Sequence, residues 1–431
     1  MKIQPQHTIC IQGGHVFDPS QQLDQIMNVY IENDTIVAIG EAPTGFKAES
    51  IIDASGKMVF PGFIDLNAFL AEPGFTQKGS IASETQAASR SGFTTLVSTP
   101  NTKPVVDSAA LATLIQEKAK QAGFCRVLPT GALSAGLQGE QLSNMHGLKE
   151  GGCIALSQLE KPFKDSRVVK QCYHYAAGFD ILAMVTPIDE ALAQEGVMHE
   201  GMVSTKLGLA GISESAETCA LTQHLILAKE AGVRLHISRV CSKAALDLIL
   251  AAQDAGQQVT ADVALGNLVF TDLNCLDYNS LMHVSPVYRS EADRQALLAA
   301  VNTGKLSICS NHRPHELAAK MAPFAASESG ISVLDSFTSV LLNLVKQEEL
   351  TLAAAISAVT SSPASMLGKT LGQLKIERKA DLCIVDTDAN VTLQETQLAS
   401  KGSNNPWLNQ TLTGKVVCTI NAGHIVYSSS H

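Results

Sequence analysis

Val59-Phe60-Pro61-Gly62-Phe63-Ile64-Asp65-Leu66-Asn67 is the first of a series of short apolar runs in the middle of the chain, each long enough for one buried strand. The others are Thr94 to Ser98, Arg126 to Gly131, Ile154 to Ser157, Ile181 to Val185, Arg234 to Ser238, Gln258 to Val263 and Leu306 to Ser310. Between them lie runs with helical periodicity, such as Glu217 to Ala231, Lys243 to Ala255 and Glu291 to Thr303. Roughly eight strand–helix units in series point to an α/β chain folded as a (β/α)8 TIM-type barrel rather than an open sheet. Chemistry in that fold sits at the C-terminal ends of the strands.

Outward from this core the texture changes. The first sixty or so residues read as short strands and turns: Thr8-Ile9-Cys10-Ile11, Val29-Tyr30-Ile31 and Thr35 to Ile39, with Gly13-Gly14 and Asn33-Asp34 as turn residues. The same texture returns in Asp381 to Asp386, Val416 to Ile420 and His424 to Tyr427. The expectation is a small β-sandwich domain built from both termini, residues 1–58 and 368–431, around a barrel of residues 59–367.

Composition narrows the function classes. Of 431 residues, 45% are hydrophobic, which supplies a sizeable core. Charged residues reach only 17%, below the roughly 25% of an average soluble chain, a hint that outer surface is covered by other subunits. A net charge of −10 leaves no basic stripe for nucleic acid or anionic membrane. The ten cysteines are scattered without a Cys-x-x-Cys pair, so neither a thiolate zinc site nor a disulfide framework is signalled. Met1 to Gln6 lacks the apolar run of a signal peptide and no stretch is long enough to span a bilayer, so the expected location is cytoplasmic.

Pro61-Gly62-Phe63-Ile64-Asp65-Leu66 resembles the amidohydrolase signature, and Glu72-Pro73-Gly74-Phe75, Gly92-Phe93-Thr94-Thr95 and Pro100-Asn101-Thr102-Lys103-Pro104 are similar to dihydroorotases of the long, bacterial type. The similarity continues through Gly196 to Gly201, Ser204 to Gly211, Ser290 to Arg294, Ser361 to Ala364 and Lys379 to Leu382, covering nearly the whole chain. The resemblance implies one or two divalent metals, held by a His-x-His after the first strand, a carboxylate or modified lysine after the fourth, and single histidines after the fifth and sixth. An aspartate after the eighth moves the proton of the metal-bound water.

This chain departs from that pattern at every position. The His-x-His is Asn67-Ala68-Phe69, the fourth-strand position is Gln158 (or Leu159, within Ser157-Gln158-Leu159-Glu160), the fifth is Thr186, the sixth Arg239 and the eighth Asn311. Phenylalanine offers no lone pair, an amide is a poor transition-metal ligand, and arginine is permanently cationic. Ala71 stands where the resemblance places the arginine that grips the substrate carboxylate, and Ser285-Pro286-Val287-Tyr288-Arg289 replaces Asn-Pro-Pro-Leu-Arg; Asn101 and His315 remain as a vestigial substrate pocket. Phe69 reads as core filler in the former metal volume, and Arg239 as paired with a lumen carboxylate such as Asp65 or Glu72.

The expectation is therefore a catalytically inactive homologue with no cofactor and no catalytic residue. Inactive homologues of this kind serve as structural partners of aspartate transcarbamoylase in pyrimidine biosynthesis, which implies a homo- or hetero-oligomer. The alternative is an active cyclic-amide hydrolase, with a metal site rebuilt from His236, His312 and His315 or with Cys241 as a thiol activated by Arg239. A third possibility is a ligand sensor using the pocket near Asn101 and His315.

Overall fold

The structure is a computed structural model that describes residues 7–159 and 161–429. Of the segments considered above, Met1 to Gln6, Glu160 and the last two residues of the chain lie outside it.

Eight parallel strands form the barrel: β1 (Phe63–Ala68), β2 (Phe93–Ser98), β3 (Arg126–Ala132), β4 (Ala155–Gln158), β5 (Ala183–Val185), β6 (Leu235–Ile237), β7 (Val259–Ala264) and β8 (Ser307–Cys309). They neighbour one another in sequence order, as successive strand–helix–strand units dictate. Seven of them lie within a residue or two of the expected runs. The remaining run, Val59 to Asn67, is two strands. Met58–Pro61 pairs with Thr8–Asp18 and with Leu382–Thr392 in the terminal sheet, and β1 begins after Gly62. A Cβ on Gly62 would sit 2.3 to 2.9 Å from Thr94 side-chain atoms, so the crossing is made where no side chain fits.

Burial explains why these segments are strands. Phe63, Phe93 and Phe337 stack edge to face beneath the outer helices, at 5.9 and 4.7 Å between ring centroids. Ile64, Leu66, Val97, Met184, Ala264 and Cys309 form one cluster from opposite sides of the barrel, which places it in the lumen. The helices begin where the sequence supplies caps: Ser242 accepts from the Ala245 amide ahead of Lys243–Asp254, and Ser290 and Asp293 form a capping box ahead of Glu291–Asn302.

The barrel is closed between β8 and β1 by side chains as much as by backbone. Asp65 accepts from the Ser310 amide (2.8 Å), the Ser310 hydroxyl and the Asn67 amide (3.1 Å). The Phe69 amide donates to the His312 carbonyl at 3.0 Å. Burial raises the Asp65 carboxyl above its ordinary range against these hydrogen bonds.

Both termini contribute to a single eight-stranded sheet with its own apolar cluster, including Ile9, Ile31, Val59, Leu382 and Ile420. It is anchored to the barrel by Arg126, which donates to Asp381 (3.0 Å), and by the Thr419 hydroxyl on the Ser89 carbonyl (2.7 Å). No helix among the described residues is long and apolar enough to cross a membrane.

Candidate functional site at the barrel mouth

At the C-terminal ends of the strands the lining turns from apolar to polar: Asn67, Ser98, Gln158, Thr186, Ser238 and Ser310 follow one another around the mouth. Thr186, Arg239 and Asn311 come together. Arg239, only 4% exposed, donates from one guanidinium nitrogen to Thr186 Oγ1 (2.8 Å) and from the other to Asn311 Oδ1 (2.9 Å) and the Ser285 carbonyl (3.4 Å). Asn311 Nδ2 donates to the same carbonyl at 3.1 Å. Arg239 and Asn311 both hold left-handed backbone (φ 62° and 49°), a strain concentrated at such mouths. The Arg239 amide is fixed by Asp262 Oδ1 at 2.7 Å.

The expected pairing of Arg239 with Asp65 or Glu72 does not form. Asp65 is consumed in the β8–β1 seam, and Glu72 pairs with Lys118 while accepting from the Ile81 amide. Gln158 is taken up by the loops after β3 and β4: it accepts from Ser134 Oγ (2.7 Å) and donates to the Leu137 and Lys161 carbonyls. Phe69 is buried between Phe75 (5.8 Å) and the Arg313 guanidinium, which lies 5.5 Å from its ring centre. Asn67 Nδ2 and Asn101 Oδ1 are buried and have no hydrogen-bond partner among the described residues. Ala71 is fully buried at φ 60° and offers only a methyl group.

The three histidines do not converge. His236 spends one ring nitrogen on Thr260 Oγ1 (2.9 Å) and the other on Asp262 Oδ2 (2.8 Å). His312 accepts from the Val333 amide at Nδ1 (3.0 Å), which puts the proton on Nε2 facing Glu84 at 2.8 Å. His315 donates from Nε2 to the Ser329 carbonyl (2.9 Å) and meets Lys78 Nζ at Nδ1 (3.1 Å). Burial, with the nearby charges of Lys78, Arg313 and Lys320, holds His315 down at about 4. Among the described residues no group of three or more His, Cys, Asp or Glu side chains could hold a metal ion.

Residues 56–245 match the family model described as Dihydro-orotase-like, and residues 343–427 match that of the amidohydrolase family. A dihydroorotase-like protein of Pseudomonas aeruginosa is 41% identical over 97% of this chain and 99% of its own length. The chain belongs to the dihydroorotase-like family of amidohydrolases. A protein named dihydroorotase from Trichlorobacter lovleyi is 38% identical over 97% of this chain and 99% of its own. Among solved structures, L-hydantoinase from Arthrobacter aurescens superposes with a TM-score of 0.88 at 20% identity, covering 97% of this chain and 96% of that one. Dihydropyrimidinase from Brevibacillus agri gives 0.84 at 19%, covering 98% and 96%. At such identities these two speak for the fold.

The divalent metal implied by the dihydroorotase-like resemblance does not fit the residues at the mouth. Thr186, Arg239 and Asn311 present a hydroxyl, a cation and an amide that already satisfy one another, and the neighbouring histidines have no lone pair to give.

The thiol is placed differently from expectation as well. The guanidinium beside Cys241 belongs to Arg289, whose Nε lies 3.2 Å from Sγ. The Cys241 amide and thiol donate to Glu217, at 3.0 and 3.3 Å, and Arg289 and Glu217 form a buried ion pair at 3.6 Å. Burial raises the Cys241 pKa and Glu217 raises it further, against the opposing pull of Arg289. The thiol is a packed donor. A cavity of about 260 Å³ opens beside this cluster, lined by Thr186, Arg239, Cys241, Ser285 and Arg289 with apolar walls such as Val197 and Val287. The sequence offers Cys241 as a candidate thiol but gives no sign of Glu217, whose place in Glu214–Ala231 carries no motif.

Proposed function

We propose that this dihydroorotase-like chain is catalytically inactive and acts in the cytoplasm as a structural partner of aspartate transcarbamoylase in pyrimidine biosynthesis. The inactive reading is carried by one observation: among the described residues, every position that resembles a metal ligand or the proton-moving aspartate has been replaced, and His236, His312 and His315 are already bonded. The position that resembles the proton-moving aspartate is the Asn311 amide, held between Arg239 and the Ser285 carbonyl. An amide does not titrate in the range where a general base works. The rebuilt-metal alternative meets three histidines whose nitrogens are spent, and the thiol alternative meets a cysteine with its pKa raised and a carboxylate as its acceptor.

The partner reading rests on likeness along the whole body around an emptied centre, together with the 17% charged fraction, low for a chain whose entire surface faces water. Two measurements test it. Elemental analysis of the purified chain, alongside dihydroorotate and hydantoin turnover, should give substoichiometric zinc and no turnover above the buffer. Co-purification with aspartate transcarbamoylase from the native source should give one complex, and deletion of this chain should collapse the partner's assembly. Stoichiometric zinc with turnover refutes inactivity; separate migration of the two proteins at physiological concentration refutes the partnership.

A further inference from the structure

We infer that Arg239 is the resident cation of the barrel mouth: its guanidinium ties the ends of β5, β6 and β8 together in the place of a metal ion, and it bars a metal from that place. The inference rests on the metal-free reading of the mouth and is independent of any partner.

The residue is gripped at both ends. Its amide is held by Asp262 Oδ1 (2.7 Å), an oxygen that also receives the Cys309 thiol (3.2 Å), while Asp262 Oδ2 holds His236. Its side chain then crosses the mouth to Thr186 after β5, Asn311 after β8 and the Ser285 carbonyl of the loop after β7. One side chain thus connects three strand ends and the loop that follows β7.

Among the described residues, the acceptors suit a guanidinium and not a transition metal. A hydroxyl, an amide oxygen and a peptide carbonyl are neutral and weakly donating, and a planar fork of N–H donors meets them edge-on. A dication brought to the same spot would face a fixed positive charge instead of ligands. Restoring histidines elsewhere at the mouth should therefore not restore metal while Arg239 remains.

Four full-length variants test this against wild type: Arg239→Met, Arg239→Lys, N67H/F69H and N67H/F69H/R239H. Melting temperature is read with and without EDTA, and zinc per chain after dialysis against zinc chloride. Wild type should keep its melting temperature in EDTA. Arg239→Met should lower it by roughly 1–4 °C, since part-buried acceptors lose their donor, with Arg239→Lys between. N67H/F69H should take up no more zinc than wild type, and the triple variant should approach one equivalent.

Arg239→Met melting with wild type, or stoichiometric zinc in N67H/F69H, overturns the inference. If Arg239→Met does not fold, Arg239→Lys and the zinc arm still decide, because zinc uptake is not moved by a purely structural loss. Zinc and turnover in wild type would remove the inactive reading too. A fully stable Arg239→Met in a zinc-free, inactive protein removes this inference alone.

Discussion

Glu217→Met is the substitution whose cost the structure fixes best. The Glu217 and Arg289 side chains are 5% and 2% exposed and 3.6 Å apart. At an effective dielectric of about 20, unit charges at that separation attract by roughly 4–5 kcal/mol. Both charges also pay for leaving water, so the informative quantity is the cost of breaking the pair from one side, about 3–5 kcal/mol for a buried pair. Glu217→Met also strips the acceptor from the Cys241 amide and thiol. Arg289→Met leaves the Ile212 and Ser213 carbonyls without this donor and should cost at least as much. Each single variant should melt roughly 3–6 °C below wild type. The double variant buries no unpaired charge, so its loss should fall short of the sum of the singles by about 2–4 kcal/mol. Calorimetry on the four proteins closes the cycle. A second readout is local: mass-spectrometric alkylation of Cys241 with iodoacetamide should quicken in Glu217→Met, where the charge raising the thiol pKa is gone and Arg289 remains, and slow in Arg289→Met. Additive losses, or Cys241 alkylation unchanged in both singles, would show that the three groups do not act as a unit.

Acid should weaken the fold well above the range of ordinary carboxylates. Burial holds His224 at about 4, as it does His315, against an unfolded value near 6.5. Between those values the unfolded chain binds protons that the folded chain refuses, so stability falls as pH drops from about 6.5 toward 4, by roughly 1.4 kcal/mol per pH unit for each histidine. His224→Gln should flatten that slope, and a melting temperature constant from pH 7 to 5 in wild type refutes the assignment. At the domain crossing, Gly62→Ala would push a methyl group into Thr94 and should destabilise by about 1–3 kcal/mol. Thr94→Gly in the same chain should recover part of the loss in urea denaturation, and no recovery would locate the cost elsewhere.

The barrel was legible because each strand is a short apolar run and each intervening helix carries a different period. The break at Gly62 was not, because both sides of it are apolar and burial in two different sheets leaves the same pattern as burial in one. At the mouth, sequence position placed Thr186, Arg239 and Asn311 at strand ends, and strand ends in a closed barrel converge. What it could not tell was the partner of a long side chain. Arg239 reaches a carbonyl of the 283–289 loop, and Asp65 turns to the seam with Ser310; both choices depend on loops that approach from distant parts of the chain. His236, His312 and His315 are close in number or in strand position, yet each is claimed by a different network, and residue type alone does not reveal a spent lone pair.

The same physics bears on why such a barrel would persist. A hydrolase must keep its mouth open to substrate, which limits what can cover that face. On its β5–β8 side this mouth is spanned by one guanidinium and its acceptors, so in the inactive reading covering it obstructs no chemistry. Large apolar side chains stand exposed on loops of that face: Met202 (86%) after β5, Leu273 and Tyr278 after β7, and Leu317 and Met321 after β8. These loops brace one another, since Tyr278 donates to the Leu207 carbonyl (2.8 Å) and Ser280 to that of Lys320 (2.6 Å). Exposed methionine, leucine and tyrosine on a braced frame are what an association surface offers, and they are costly to leave in water. In the proposed assembly of an inactive chain, the barrel mouth is thus the face on which contact with another subunit loses least and buries most.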